Sequence, residues 1–200
     1  MSLLHFVAKS GALGDEKSAC RIAEFLLDGG ACLEARCKWT DMTPLHYAAY
    51  FDCPMLVELF LKRGAELEAR SQLMDNATPL HLAATQLSLS SARVLLQASV
   101  HSLAKMDIGF KGRDVLDALG RTPYDCLPPE TQLNEPLCSL RNRLAELLGL
   151  PSRVDTHDKP HSNRHFNCLK IDTLLNKRTH FRRSGKSWMQ VITQYFLKAL

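Results

Sequence analysis

Two stretches of this chain are copied within it, and that repetition constrains its fold more than any local pattern does. Thr43-Pro44-Leu45-His46-Tyr47-Ala48-Ala49 returns 35 positions later as Thr78-Pro79-Leu80-His81-Leu82-Ala83-Ala84. Gly30-Ala31-Cys32-Leu33-Glu34-Ala35-Arg36 returns as Gly64-Ala65-Glu66-Leu67-Glu68-Ala69-Arg70. Weaker copies flank these, Ser2-Leu3-Leu4-His5 before them and Thr122-Pro123-Tyr124-Asp125 after them. A unit of this length cannot bury its apolar face alone, so a fixed period predicts a stack of like units sharing one continuous core.

Each residue type in the copies has a physical task. Thr43 and Thr78 stand where a hydroxyl caps a helix, and Pro44 and Pro79 fit its first turn, where a missing N–H costs nothing. His46 and His81, one turn in, can bond back to the Thr and across to the following unit. Ala48, Ala49, Ala83 and Ala84 are small enough to let helices of adjacent units approach. Leu56, Val57, Leu59, Phe60 and Leu61 supply the apolar stripe of a second helix, as do Ala92, Val94, Leu95 and Leu96. Gly30 and Gly64 end such helices, where a left-handed residue is wanted.

These residues resemble the ankyrin repeat, with its T-P-L-H-x-A signature and period of about 33. The resemblance implies an all-α solenoid of paired antiparallel helices joined by finger-like hairpins. Four units are expected, at about 1–37, 38–72, 73–105 and 118–149. Successive His positions, His5, His46, His81 and the position filled by Asp125, lie 41, 35 and 44 apart, which predicts insertions at 11–17, within unit one, and at 106–116, in the finger before unit four. Ser99 stands where unit three lacks a terminal Gly. Leu4 to Ala12, with Trp39 to Met42 and Leu45 to Asp52, further resemble the ankyrin region of the CAP-Gly domain-containing linker proteins, microtubule-associated adaptors. That likeness covers roughly residues 2–100. Nothing after Leu150 resembles a CAP-Gly core, so only the adaptor half of the family's role is implied, near microtubules or the membranes they serve.

Charge divides the chain at the end of the repeats. Residues 1–150 carry a net charge of −3 and residues 151–200 one of +7. This predicts a repeat domain over 1–149, a basic polar linker over 150–186 and an amphipathic helix over 187–200. In the last, Trp188, Val191, Ile192, Tyr195, Phe196 and Ala199 follow helical spacing. With Arg182 and Arg183 before it, the tail (Arg182, Arg183, Trp188, Phe196) reads either as a segment for an anionic membrane or partner groove, through 176–200, or as a stripe packed on the repeats or without a role of its own. The seven cysteines, Cys20, Cys32, Cys37, Cys53, Cys126, Cys138 and Cys168, form no C-x-x-C pair and read as buried reduced thiols. No apolar stretch is long enough to span a bilayer and no secretory signal is recognisable at 1–10, so a cytoplasmic location is expected.

Catalytic and ligand motifs fail on inspection. Gly185-Lys186-Ser187 could end a phosphate-binding loop, but its first glycine would fall at His180. His157, His161, His165 and Cys168 have metal-like spacing, yet Pro160 breaks the helix they would need. No nucleophile-base set is identifiable, and no nucleic-acid-binding fold positions the basic residues. The expectation is a non-enzymatic protein, without cofactor or metal, acting as a monomeric adaptor or scaffold that binds one or more partner proteins. The alternatives are a free-standing ankyrin-type inhibitor of a partner enzyme and a peripheral membrane binder.

The resemblance also implies where a partner would sit. In an ankyrin array the residues before each Thr-Pro step and after each Ala-Ala pair point into a shared groove: here Trp39, Thr40, Met42, Tyr50, Phe51, Met74, Ala77, Thr85 and Gln86. Trp39, Met42, Tyr50, Phe51, Met74 and Gln86 are the predicted partner-binding residues, led by Trp39 and Tyr50, because Trp and Tyr dominate binding energy at interfaces. Thr43, Pro44, Leu45, His46, Gly64, Thr78, Pro79, Leu80 and His81 are predicted to be structural.

Overall fold

The structure, a computed structural model, describes residues 1–12, 14–103 and 113–149. All of them fall in the first of two units, Met1–Asn163 and Arg164–Leu200. The described residues are helical, with one isolated antiparallel bridge between Ser71 and Ala77 and no strand. Helices α1 (Leu3–Gly11) and α2 (Glu16–Asp28) form the first pair, α3 (Pro44–Tyr50) and α4 (Pro54–Lys62) the second, α5 (Pro79–Thr85) and α6 (Leu89–Leu103) the third. The first helices of the pairs pack side by side, α1 on α3 and α3 on α5, and the second helices do likewise, α2 on α4 and α4 on α6.

The Thr-Pro-x-His signature builds the start of each first helix. Thr43 Oγ1 accepts the His46 backbone N–H at 3.4 Å, and His46 Nδ1 accepts the Thr43 backbone N–H at 3.2 Å. Thr78 and His81 form the same reciprocal box, and Ser2 with His5 forms it in the first pair. Because Nδ1 accepts, the ring proton belongs on Nε2, which donates forward: His5 to Met42 O at 2.8 Å, His46 to Ala77 O at 3.1 Å, His81 to Arg121 O at 3.1 Å. The equivalent leucines Leu4, Leu45 and Leu80 fill the core between pairs. Tyr47 is fully buried and meets the His5 ring edge-on, centroids 4.9 Å apart. Its counterpart in the first pair, Phe6, is exposed.

The second helices are tied across pairs by acidic side chains. Glu16 Oε1 accepts the Met55 and Leu56 N–H groups at the start of α4, at 2.7 and 3.3 Å, and Asp52 Oδ1 accepts the Ser91 N–H near the start of α6 at 2.8 Å. These carboxylates satisfy donors that a helix start leaves free. Gly30 and Gly64 take φ of +85° and +91° after α2 and α4. With Ser99 in that role, α6 runs on to Leu103.

The fourth unit departs from the expected helix pair. Its Thr122-Pro123 step is followed only by a 3-10 turn, Tyr124–Cys126, a second turn, Glu130–Gln132, and then α7 (Glu135–Leu148). Pro128 and Pro129 lack the N–H a helix needs and force Leu127 into an extended conformation, with ψ of 136°. The cap survives: Asp125 Oδ2 accepts from the Thr122 N–H and hydroxyl, both at 2.8 Å. A carboxylate has no N–H to send forward as Nε2–H does.

The expectation of buried thiols holds for two of the six described cysteines and is corrected for the other four, with Cys20, Cys126 and Cys138 partly exposed. All six described cysteines are free, but Cys32 is exposed; only Cys37 and Cys53 are buried. Cys32 lies beyond the Gly30 turn, outside the packed faces. The predicted tail residues, the Gly185-Lys186-Ser187 motif and the His157–Cys168 group lie outside the described residues.

Candidate protein-interaction surface

Three hairpin fingers project from the helix pairs, around residues 36–42, 70–77 and 115–122. Each closes on itself through backbone bonds: Cys37 N–H to Met42 O at 2.9 Å, Ser71 N–H to Ala77 O at 3.0 Å, Asp117 N–H to Arg121 O at 3.0 Å. Left-handed residues turn the tips, Asp41, then Asp75 with Asn76, then Gly120. Asp and Asn tolerate this region better than other non-glycine residues. The second finger holds one residue more than the first, so the 35-residue step between the Thr-Pro signatures becomes 34 within the fingers.

Adjacent fingers are fastened together. Arg36 donates to the carbonyl of Arg70, and Arg70 in turn to the carbonyl of Leu116, at 2.8 Å. The Ser71 hydroxyl donates to Thr40 O at 2.6 Å, the Gln72 N–H to Asp41 Oδ2 at 2.9 Å, and the Ala118 N–H to Asp75 O at 2.7 Å. The result is a braced row of tips whose polar backbone is largely used internally.

The predicted partner residues separate sharply by exposure. Trp39 is 54% exposed, and Phe51 and Gln86 are half-buried. Met42, Tyr50 and Met74 are not surface residues: they are 0%, 4% and 8% exposed, and Thr40, Ala77 and Thr85 are buried with them. Assigning them to an open groove is therefore corrected. Met42 and Ala77 directly precede the capping Thr, where the carbonyl takes the histidine bond from the preceding unit and the side chain turns into the core. Tyr50 is covered in part by Phe51, ring centroids 5.0 Å apart and nearly perpendicular.

Two exposed residues take their place, Leu73 at 63% and Leu119 at 52%. Trp39, Leu73 and Leu119 each stand two residues after the one that opens its finger, Cys37, Ser71 or Asp117, in fingers that close over six, seven and five residues. Shifting Trp39 by the 34-residue step that relates Arg36 to Arg70 would have found Leu73. The 35-residue step gives Met74 instead, which is buried. Leu119 is obscured because the insertion destroys the register before it.

The charges around this row are unequally committed. Asp41 faces Arg36 at 3.6 Å and accepts the Gln72 N–H. Asp75 faces Arg121 at 3.7 Å. Asp117, its side chain fully buried, pairs with Arg121 at 2.7 Å and accepts the N–H groups of Leu119 and Arg121. Lys38 and Arg70 are exposed, and no described carboxylate lies within ion-pair distance of either. Glu68, the acid whose field Arg70 feels, has its carboxyl pushed upward by burial, against the pull of Arg70.

Beneath the first tip, Tyr47 Oη lies 3.5 Å from Cys37 Sγ and donates to it. Burial opposes ionisation of this thiol, but donors from Thr40, Tyr47 and the finger backbone hold it below its ordinary value. The buried Cys53 is pushed up to about 12 by desolvation. Among the described residues no group of three His, Cys, Asp or Glu side chains could hold a metal ion, and no helix is long and apolar enough to cross a membrane.

Comparison with known proteins agrees with this architecture. The family model described as the ankyrin repeat matches residues 40–72. CAP-Gly domain-containing linker protein 3 of Homo sapiens and that of Mus musculus are each 43% identical over 101 residues, covering 48% of this chain and 18% of the relative. The Xenopus laevis protein of that name is 38% identical over 109 residues, covering 52% of this chain and 20% of its own length. The chain thus spans about a fifth of the curated relatives it matches.

Proposed function

We propose that this ankyrin-repeat protein is an adaptor or scaffold that captures a partner protein on the tips of its fingers. The observation that carries the reading is that Trp39, Leu73 and Leu119, large apolar side chains more than half exposed, each stand two residues into one of three consecutive fingers. Scattered exposed apolar residues need no explanation, but an aligned series on a braced support is what a binding surface requires. A Trp at one end is the residue type most enriched among those that dominate interface energy. Phe51 and Gln86, half-buried beyond the Ala-Ala pairs, would border the contact.

The likeness to the linker proteins supports an adaptor role near microtubules or the membranes they serve. Because the match takes in only a fifth of those relatives, that setting is a proposal for this chain, as are a cytoplasmic location and action as a monomer. No catalytic role is assigned.

The test is quantitative affinity capture from cell extract with the full chain and with a Trp39→Ser/Leu73→Ser/Leu119→Ser variant. Proteins retained by the wild type and lost by a folded variant would identify the partner. An unchanged set of captured proteins would remove the fingers as the binding surface.

A further inference from the structure

The junctions between the first three units repeat one set of contacts, and the leading face of unit one exposes half of that set. On the side of α3 that meets α1, Pro44 and Tyr47 are buried one turn apart, and Tyr47 takes the His5 ring edge-on. At the same positions of α5, Pro79 and Leu82 are buried. Their counterparts in α1, Leu3 and Phe6, are 44% and 38% exposed. The backbone shows the same difference. The carbonyl directly before the capping Thr, Met42 O or Ala77 O, accepts the imidazole N–H of the preceding unit. Met1 O holds that place before Ser2 and accepts no hydrogen bond among the described residues. A unit that only closes an array presents a polar outer face, whereas this one presents Leu3 and Phe6 beside a free acceptor.

The junctions inside the molecule define what fits such a face. The covering surface is the trailing side of another helix pair, and it brings a buried neutral imidazole whose Nε2–H goes to the carbonyl. A second copy of this chain cannot supply that group. Its junction histidines His5, His46 and His81 each donate within the array already. Unit four, at the trailing end, has Asp125 at the histidine position and a 3-10 turn where its first helix would be. Two leading faces set head to head would bring carbonyl against carbonyl with no donor between them. We infer that Met1 O, Leu3 and Phe6 form a docking face for the trailing end of an ankyrin array in a partner protein, whose last Thr-Pro-x-His step donates its imidazole N–H to Met1 O. This face is separate from the finger tips and does not depend on them.

The probe is a fluorescein-labelled designed array of identical Thr-Pro-Leu-His ankyrin units, with a polar cap on its leading end and its trailing end bare. It is titrated with the full-length chain and followed by anisotropy. Saturable binding is expected, weakened at least ~10-fold by Phe6→Ser and by replacing the last His of the probe with Leu. The same array closed by a polar trailing cap should not bind. Leu3→Ser provides a second variant, and circular dichroism checks that both fold. The Trp39→Ser/Leu73→Ser/Leu119→Ser protein should bind the array as the wild type does, which separates failure here from failure of the finger-tip reading. Absence of binding, equal binding of the capped array, indifference to both substitutions in the chain, or indifference to the lost His of the probe would overturn the inference. So would loss of binding by the triple variant, which would move the contact to the fingers. Self-association that Phe6→Ser abolishes would also overturn it, because a second copy would then hold the face.

Discussion

His46 Nε2 lies 3.1 Å from the carbonyl oxygen of Ala77, 31 residues further along the chain. The same bond joins His5 to Met42 and His81 to Arg121, so each junction between successive units contains one buried imidazole whose two nitrogens are both engaged. The proton is on Nε2; Nδ1 faces two donors, the backbone N–H and the hydroxyl of the capping Thr or Ser. A second proton would have to enter at Nδ1, against the cap.

These histidines make stability depend on pH. Burial lowers His5 and His46 from 6.5 to about 4, and lowers His81 as well, against the partly compensating pull of the carbonyls they meet. The unfolded chain therefore binds more protons than the folded one below about pH 6.5. Stability should be full above that value and lost as pH falls toward 4, by up to about 1.4 kcal/mol per pH unit for each histidine. Urea unfolding between pH 5 and 7, above the main carboxylate range, should show this slope, and His46→Gln should reduce it. A flat profile would contradict the buried neutral assignment.

Leu45 and Leu80 are 1% and 7% exposed and sit between pairs of helices. Truncation of either to Ala should cost about 2–5 kcal/mol. Thermal melting by circular dichroism measures this. A Leu80→Ala curve superimposed on that of the wild type would contradict the packing of α5 against its neighbours.

Gly64 and Gly11 should fail for different reasons. Gly64 has φ of +91° with open space around it, so Gly64→Val should cost on the order of 1–2 kcal/mol through backbone strain alone. Gly11 has an ordinary backbone, but an added Cβ would come within 3.1 Å of Leu56 Cδ1 and 3.3 Å of Cys53 Sγ. Gly11→Val should cost about 1–3 kcal/mol through overpacking. Unfolding free energies of the two variants check both values.

At the finger tips the expected stability effect is small. Trp39→Ser and Leu73→Ser remove more than half-exposed side chains, and each should change unfolding free energy by no more than about 0.5 kcal/mol. Denaturant titration of the two single variants checks this, and a large loss would assign the side chains to the fold.

The sequence made the helix pairs legible because Thr-Pro-Leu-His encodes its own hydrogen bonds: the box, the forward bond and the buried Leu follow from residue types at fixed offsets. It left the fourth unit less clear, since Thr122-Pro123 promises a helix that Pro128 and Pro129 shorten to a turn. The partner surface was the least legible part. Periodicity places Met42, Met74 and Trp39 together before the capping Thr, but whether such a side chain points inward depends on the finger's turn, where one added residue brings Leu73 to the tip. The tie of Glu16 to α4 and that of Asp52 to α6 span about 40 residues and leave no local pattern to read.

The most direct measurement is site-specific photo-cross-linking in cells, with a benzophenone amino acid placed at position 73, at position 119, or at position 58 on the exposed side of α4. The account predicts a cross-linked partner protein at 73 and 119 and none at 58. Cross-links at 58 with none at the tips would contradict it.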